Sequence, residues 1–196
     1  MQRAVMTAAE AVADVRYVVL HAENGLLGYG PVADEAVADV DCYDASGRFV
    51  QLRPGAVACD TTTAFAMARG GRVSTVILGA FEVSAAGDLA NWSVPTTGKG
   101  GIGGAMDLVA GGARVIVLTF HATRDRRPKL VERCGYPLTA VGRVTDVVTD
   151  LAYLTIDRAG FVLRELAPGR SVEQVRDATA APLRVASDLR EMPFVN

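Results

Sequence analysis

The chain has 196 residues, a length that suits a single domain with a substantial hydrophobic core. Half of its residues are hydrophobic, and 20 Lys and Arg residues against 22 Asp and Glu residues leave a net charge of −2. This balance provides no broad basic surface, so we expect small molecules or another protein as partners, and neither nucleic acid nor an anionic membrane.

The cysteines and the apolar runs bear on cofactors and location. Cys42, Cys59 and Cys134 are odd in number and lack C-x-x-C spacing, which favours neither a disulfide framework nor a zinc site. We interpret them as buried, reduced thiols. No apolar run approaches the ~18 residues of a membrane span, and no secretory leader pattern begins the chain. We therefore expect a cytoplasmic protein without a bound metal or a membrane.

The first predicted elements are a short helix over 2–13 and a buried strand over 16–20 that leads to Glu23. Asn24 and Gly25 tolerate turn conformations that other residues resist, so the chain should reverse there and support Glu23 at the end of the strand. Ligands of open α/β sheets bind beyond the carboxyl ends of the strands. Glu23 is therefore a candidate reactive group, and a solvated turn glutamate is the alternative.

The next stretch is acidic and then becomes helical. We interpret residues 31–44 as a solvated loop, because their carboxylates lack the spacing of a calcium-binding loop. A short strand is predicted over 49–52. Asp60 and Thr61 are candidate N-caps for a helix over 62–69, which a pair of glycines ends.

A buried strand over 73–78 should end at Gly79 and Ala80. Small residues there would let a ligand approach the backbone closely, or would serve close packing inside the sheet, and both interpretations stay open. Asn91 could line a pocket beside them. Its neighbour Trp92 is the only tryptophan, and a single Trp is more often a packing anchor.

The glycine-rich segment 98–104 precedes a predicted helix over 105–110. Gly98, Gly100 and Gly103 match G-x-G-x-x-G, but no strand runs directly into the motif and no acid ends the following strand. We therefore reject dinucleotide binding, and the pattern is not a P-loop either. A glycine-lined turn can present backbone N–H groups to a developing oxyanion; a flexible loop without chemistry is the alternative.

The remainder of the chain is predicted to be rich in strands. These cover 114–120, 144–149, 151–156 and 161–166, with a hairpin turn at 157–160. A capping box at Ser171 and Gln174 opens a helix to about residue 179, and the tail 187–196 looks extended or loosely ordered. We interpret His121 as structural, because nothing resembling a nucleophile elbow is present.

Seven multi-residue blocks come in one order between Val18 and Val185. They are Glu-Asn-Gly-Leu-Leu-Gly at 23–28, Arg-Gly-Gly at 69–71, Leu-Gly-Ala at 78–80, Gly-Asp-Leu-Ala-Asn-Trp at 87–92, Gly-Gly-Ala-Met-Asp-Leu at 103–108, Tyr-Pro-Leu-Thr at 136–139 and Leu-Arg-Glu-Leu-Ala-Pro-Gly at 163–169. Together they resemble the β subunit of the family I CoA-transferases, which include the 3-oxoacid and 3-oxoadipate CoA-transferases. The expected fold is α/β: one domain over 1–196, with an open, mostly parallel sheet flanked by helices and a strand-rich C-terminal part.

The resemblance implies a nucleophile and its surroundings. Glu23 would carry CoA as a glutamyl-CoA thioester. Gly104 and Ala105, with Gly103 before them, would offer backbone amides to the thioester oxygen. Coenzyme A is then a substrate, and no separate cofactor is implied.

The resemblance also implies substrates and a partner. Succinyl-CoA and a 3-oxoacid are the expected pair, 3-oxoadipate is an alternative acid, and an α-type subunit completes the enzyme. The basic loop 124–129 is expected to be solvated, with contact to CoA phosphates as the alternative. Family members usually begin with a further strand and a Gly-Ile-Gly-x-Pro loop, and neither precedes Glu23 here. A non-catalytic partner subunit is therefore a further alternative.

Overall fold

The computed structural model describes residues 18–34, 38–95 and 98–193. The helix predicted over 2–13 lies outside these residues, as does the start of the strand predicted over 16–20. Val18, Val19 and Leu20 are described, and they form no strand; these residues are 52%, 73% and 42% exposed. The prediction of a buried strand is therefore wrong for these three residues, whose apolar side chains face outward.

A six-stranded sheet forms the centre of the fold. Its strands lie in the spatial order β13 (Leu183–Glu191), β12 (Gly160–Leu166), β11 (Ala152–Asp157), β10 (Val144–Val148), β8 (Arg114–Leu118) and β3 (Thr75–Leu78). The pairs β3 with β8, β8 with β10, and β12 with β13 are parallel, whereas β10 with β11 and β11 with β12 are antiparallel. The sheet is mostly parallel, as the sequence predicts.

Smaller sheets and three described helices complete the architecture. A three-stranded sheet has the order β5 (Leu89–Ala90), β4 (Glu82–Ser84) and β9 (Leu130–Val131), and two-stranded ladders join β1 (Leu26–Leu27) to β2 (Val57–Ala58) and β6 (Ser93–Val94) to β7 (Lys99–Gly100). The helices are α1 (Thr61–Arg69), α2 (Ala105–Ala110) and α3 (Val172–Asp177). All three helices are predicted from the sequence within two residues of their ends.

Local sequence signals explain where the helices begin. The Asp60 side chain accepts a hydrogen bond from the Thr63 amide at 2.9 Å, which caps α1. At α3, the Ser171 hydroxyl accepts from the Gln174 amide while the Gln174 side chain accepts from the Ser171 amide, so the predicted capping box is confirmed.

The hydrophobic core lies between the central sheet, the three-stranded sheet, α2 and α3. Its fully buried members in the central sheet include Val115, Val117, Val147, Leu154, Phe161 and Leu163. The three-stranded sheet adds Val83, Leu89 and Leu130, and the two helices add Val109 and Val175. Each such side chain contributes roughly 1.5–3 kcal/mol of hydrophobic stabilisation. The three-stranded sheet, α2 and α3 thus together cover the central sheet.

Some predicted elements differ from the observed ones. Part of the tail belongs to the edge strand β13. Most residues of β13 are exposed to solvent, so the strand lacks the alternation of buried and exposed positions that is typical of a half-buried strand. The strand predicted over 49–52 does not form: Phe49 and Val50 make isolated bridges only. Asp44 of the acidic stretch is buried rather than solvated. Its carboxylate accepts hydrogen bonds from the Arg48 guanidinium and from the Ser46 amide, and these bonds offset the cost of burying the charge. The three cysteines are free, but they are half-buried rather than buried.

A buried carboxylate ties three strands of the central sheet together. Asp146 on β10 accepts hydrogen bonds from the Arg114 guanidinium on β8 at 2.6 and 2.8 Å, and from the Tyr153 hydroxyl on β11 at 2.6 Å. Burial alone would raise the pKa of Asp146, but the bonds from Arg114, Thr145 and Tyr153 outweigh it and lower that pKa. Burial and the bond to Asp146 raise the pKa of Tyr153 to about 12. Asp146 is therefore charged and paired at neutral pH.

Asp146→Asn is expected to lower the free energy of unfolding at pH 7 by about 2 kcal/mol, because it removes one partner of a buried pair whose arginine is partly open to water. Folding lowers the pKa of Asp146, so its charge stabilises the fold fully above about pH 4 and less as the pH falls through the folded-state value. Urea denaturation should therefore show a smaller difference between variant and wild type at pH 3 than at pH 7.

Asp125→Asn is the matched control, since Asp125 pairs with Arg127 on the surface. It should leave the urea midpoint unchanged. Equal midpoints for Asp146→Asn and the wild type at pH 7 would contradict this role of Asp146.

Candidate active site

Glu23 lies in the predicted turn, half-buried. The Gly25 amide donates to the Ala22 carbonyl at 3.0 Å, and the Ala22 amide donates to the Leu26 carbonyl at 2.9 Å. Gly25 has a φ of +112°, and a Cβ there would lie 1.9 Å from the carbonyl oxygen of Cys59. Only glycine fits that position without displacing the backbone, so Gly25 determines how Glu23 is presented.

Further hydrogen bonds hold the rest of this turn. The Cys59 amide donates to the Gly25 carbonyl at 2.9 Å, and the Cys59 thiol contacts the same oxygen at 3.4 Å. The Asn24 side-chain amide donates to the Tyr43 carbonyl at 2.8 Å. The turn that the sequence predicts from Asn24 and Gly25 is thereby confirmed and fixed from both sides.

Two side chains connect this turn to helix α1. The Thr61 hydroxyl donates to the Glu23 carbonyl at 2.8 Å, and His21 Nε2 lies 3.2 Å from the Ala64 carbonyl. A carbonyl oxygen only accepts, so Nε2 of His21 carries the proton in this bond. The sequence singled out Thr61 only as a candidate helix cap and gave His21 no role in this turn, because neither position belongs to a pattern that indicates contact with Glu23.

The glycine turn before α2 lies against Glu23. A Cβ built on Gly104 would come within 3.7 Å of Glu23 Cγ and within 2.5 Å of Cζ in the Phe65 ring. Gly103 has a φ of +53°, and Gly104 is the N-cap residue directly before Ala105, the first residue of α2. The structure therefore brings together the two segments that the sequence singles out, although they are far apart in the chain.

The contact between α1 and α2 fixes that arrangement. A Cβ on Gly111, at the end of α2, would lie 1.8 Å from the Ala68 carbonyl, so the two helix ends touch through backbone atoms. The Arg69 guanidinium also donates to the Asp107 carboxylate at 2.8 Å. Because α1 also holds Glu23 through Thr61, the carboxylate and the glycine turn share one support.

The third predicted cluster consists of Gly79, Ala80 and Asn91. The Asn91 side-chain amide donates to the Gly79 carbonyl at 3.1 Å, and the Ala80 carbonyl accepts from Lys129 Nζ at 3.0 Å and from the Thr119 hydroxyl at 3.2 Å. A Cβ on Gly79 would meet nothing within 4 Å, so close packing does not explain that glycine. Ala80 is buried.

This cluster lies at the carboxyl end of β3, and none of its hydrogen bonds within the described ranges reaches Glu23. Burial lowers the pKa of Lys129, and the charge of Asp150 opposes that effect. Lys129 is turned inward and is thus separate from the exposed basic residues Arg124 and Arg126, which are solvated as expected.

His121 is fully buried, and each of its ring nitrogens meets a hydroxyl: Nδ1 lies 3.0 Å from Thr149 Oγ1 and Nε2 lies 2.9 Å from Thr179 Oγ1. Burial lowers the pKa of His121 to about 4, against the opposing charge of Asp150. These contacts agree with the structural role expected from the sequence. Trp92 donates from Nε1 to the Leu138 carbonyl at 3.2 Å, which fits a packing role.

Metal clusters and membrane-spanning helices are two further features that bear on function. Across the described residues, no group of three or more His, Cys, Asp or Glu side chains is arranged to hold a metal ion. The helices that the structure describes include none with the length and apolarity to cross a membrane.

Similarity to known proteins identifies the family. Residues 4–178 match the coenzyme A transferase family model. The chain is 41% identical to the β subunit of a probable coenzyme A transferase of Bacillus subtilis, over 90% of this chain and 79% of that protein. It is 40% identical to one subunit of the succinyl-CoA:3-ketoacid coenzyme A transferase of Helicobacter pylori, over 86% of this chain and 81% of that protein.

Longer proteins match as well. The human mitochondrial succinyl-CoA:3-ketoacid coenzyme A transferase 2 is 40% identical over 91% of this chain, which spans 35% of the human protein. The crystal structure of the acyl-CoA transferase YdiF of Escherichia coli O157:H7 superposes with a TM-score of 0.71 at 20% identity, over 97% of this chain and 38% of that one. That likeness shows the fold. The chain therefore belongs to the coenzyme A transferase family, as a β subunit of an enzyme of the CoA-transferase type.

Proposed function

We propose that this subunit transfers CoA from an acyl-CoA to a 3-oxoacid through a glutamyl-CoA thioester on Glu23. The observation that carries the proposal is the approach of Glu23 to Gly104: Glu23 Cγ lies 3.7 Å from the position that a Cβ on Gly104 would occupy. A nucleophilic carboxylate needs such a neighbour, because negative charge develops on the thioester oxygen as the carboxylate attacks.

The first step is the attack of the Glu23 carboxylate on the carbonyl carbon of the acyl-CoA. The C–S bond breaks, an acyl-glutamyl anhydride forms, and CoA leaves as the thiolate. The backbone amides of Gly104 and Ala105 stabilise the oxyanion of the intermediate, and Gly103 gives the turn the positive φ that directs them.

In the second step the CoA thiolate attacks the glutamyl carbonyl of the anhydride. The bond between the glutamyl carbonyl carbon and the bridging oxygen of the anhydride breaks, the product acid leaves as a carboxylate, and Glu23 now carries CoA as a thioester. The acceptor acid then reverses both steps, which gives a new acyl-CoA and the free Glu23 carboxylate. One thioester replaces another, so coenzyme A acts as a substrate and the steps consume neither ATP nor a metal-bound group.

The substrate assignment has two sources of support. Relatives at about 40% identity are named succinyl-CoA:3-ketoacid coenzyme A transferases, which supports succinyl-CoA as the donor and a 3-oxoacid, a class that includes 3-oxoadipate, as the acceptor. The open face of Gly79, with Ala80 and Asn91 beside it, offers room for a ligand at the carboxyl end of β3. We propose that an acyl-CoA approaches the backbone at this cluster.

The relatives are named as subunits, which supports the presence of a partner chain. We propose that this partner is an α-type subunit and that the complex is cytoplasmic. It would complete the active site around Glu23. Activity is therefore to be measured on the complex of both subunits.

Glu23→Ala should reduce CoA transfer between succinyl-CoA and acetoacetate by roughly 10⁴-fold or more, since it removes the nucleophile. Steady-state assays of the two-subunit complex measure this, with circular dichroism to show that the fold is intact. Glu173→Gln, an exposed glutamate on α3, is the control and should retain full turnover. Near-normal turnover in Glu23→Ala would rule out the covalent mechanism and favour a non-catalytic subunit.

Gly104→Ala should lower kcat by roughly 10²–10³-fold, because its methyl group would lie 2.5 Å from the Phe65 ring and would displace the backbone amides from their place beside Glu23. Gly101→Ala is the matched control in the same loop, where a Cβ meets nothing within 4 Å, and it should keep most of the activity. Equal kcat values for the two variants would argue against an oxyanion role for this turn.

A further inference from the structure

Phe65 contacts the candidate site in a way that the proposed mechanism has not used. We propose that Phe65 is a positioning residue that holds the Gly104 backbone beside Glu23 and shields the glutamyl-CoA thioester from water. This inference rests on the proposed function of Glu23. Phe65 would thereby determine how much of the thioester intermediate goes on to transfer and how much is hydrolysed.

Helix α1 presents one face to the Glu23 turn. Thr61 and Phe65 are four residues apart, so they lie on the same side of the helix. The Thr61 hydroxyl already bonds to the Glu23 carbonyl at 2.8 Å. Phe65 therefore projects from the face that meets Glu23, one turn further along.

The Phe65 ring occupies the space in front of Gly104. Its Cζ and Cε1 atoms lie 2.5 and 2.6 Å from the Cβ position of residue 104, and Glu23 Cγ lies 3.7 Å from the same point. The ring edge, the Gly104 backbone and the carboxylate arm thus meet at one place. The absence of a side chain at Gly104 is what lets the ring lie flush with the backbone.

Phe65 is not used to build the hydrophobic core. The buried residues of α1 are Ala64 and Ala68, and Phe65 is only half-buried. A large aromatic side chain outside the core, set against a carboxylate arm and a glycine backbone, is placed to exclude water from that junction.

Water exclusion matters because the intermediate is a thioester. In the competing reaction, water adds to the glutamyl carbonyl, the C–S bond breaks, the thiolate of CoA takes a proton, and the Glu23 carboxylate returns. That reaction consumes acyl-CoA without forming a new one. A residue that limits it is detected by the ratio of hydrolysis to transfer.

The test follows the glutamyl-CoA adduct in the two-subunit complex after addition of succinyl-CoA, by intact mass and by release of free CoA. In Phe65→Ala the adduct should form, its hydrolysis should be about tenfold faster or more, and transfer should be slower with little change in KM. Phe65→Leu keeps an apolar side chain, so its adduct should be hydrolysed at a rate between those of the wild type and Phe65→Ala. This variant replaces Phe65→Ala in the test if Phe65→Ala does not fold.

Met67→Ala is the matched control, because Met67 is a half-buried apolar residue of the same helix, roughly 200° around its axis from Phe65. It should leave adduct hydrolysis unchanged. Equal hydrolysis rates in the wild type, Phe65→Ala and Phe65→Leu would overturn the inference while leaving the proposed function standing. A wild-type complex that forms no adduct would overturn both.

A double variant tests the positioning role by itself. If the ring sets the Gly104 backbone, Phe65→Ala should relieve the overlap that Gly104→Ala creates, so the double variant should turn over about fivefold faster than Gly104→Ala alone. If the losses of turnover in the two single variants simply multiply in the double variant, the ring does not position this backbone.

Discussion

Gly25 rests against the Cys59 carbonyl with a φ of +112°, in a space where a Cβ would lie 1.9 Å from that oxygen. This close approach joins the turn that carries Glu23 to the segment that enters α1. Thr61 of α1 then donates a hydrogen bond to the Glu23 carbonyl, and the backbone contact between Ala68 and Gly111 packs α2 against the same helix. The distance between carboxylate and glycine turn is therefore set by rigid backbone contacts, which is what a covalent mechanism with a preorganised oxyanion site requires.

Much of the fold follows from local sequence signals. Cap residues locate α1 and α3, the glycine turn locates α2, and apolar runs locate the strands of the central sheet other than β13, because these signals act over a few residues. The Glu23 turn follows from Asn24 and Gly25 in the same way. The pairing of Glu23 with Gly104 does not, since spacing cannot show which distant loops meet; the resemblance to a family supplied that expectation.

Other features depend on tertiary contacts that no local pattern encodes. Val18–Leu20 have the composition of a buried strand but are exposed, and β13 pairs at the sheet edge without apolar alternation. Phe65 resembles an ordinary helix residue in the sequence, and only its position against Gly104 gives it a role. Two-stranded ladders such as β1 with β2 are too short to be recognised, because two residues carry no periodicity.

The central claim is that Glu23 becomes covalently attached to CoA. The most direct measurement is the intact mass of this chain, in complex with its partner subunit, after mixing with succinyl-CoA, followed by peptide mapping. A glutamyl-CoA thioester would give a gain equal to CoA less one water, located on the peptide that contains Glu23. A well-folded complex that turns over substrate without this adduct, or that carries it on another residue, would rule out Glu23 as the nucleophile.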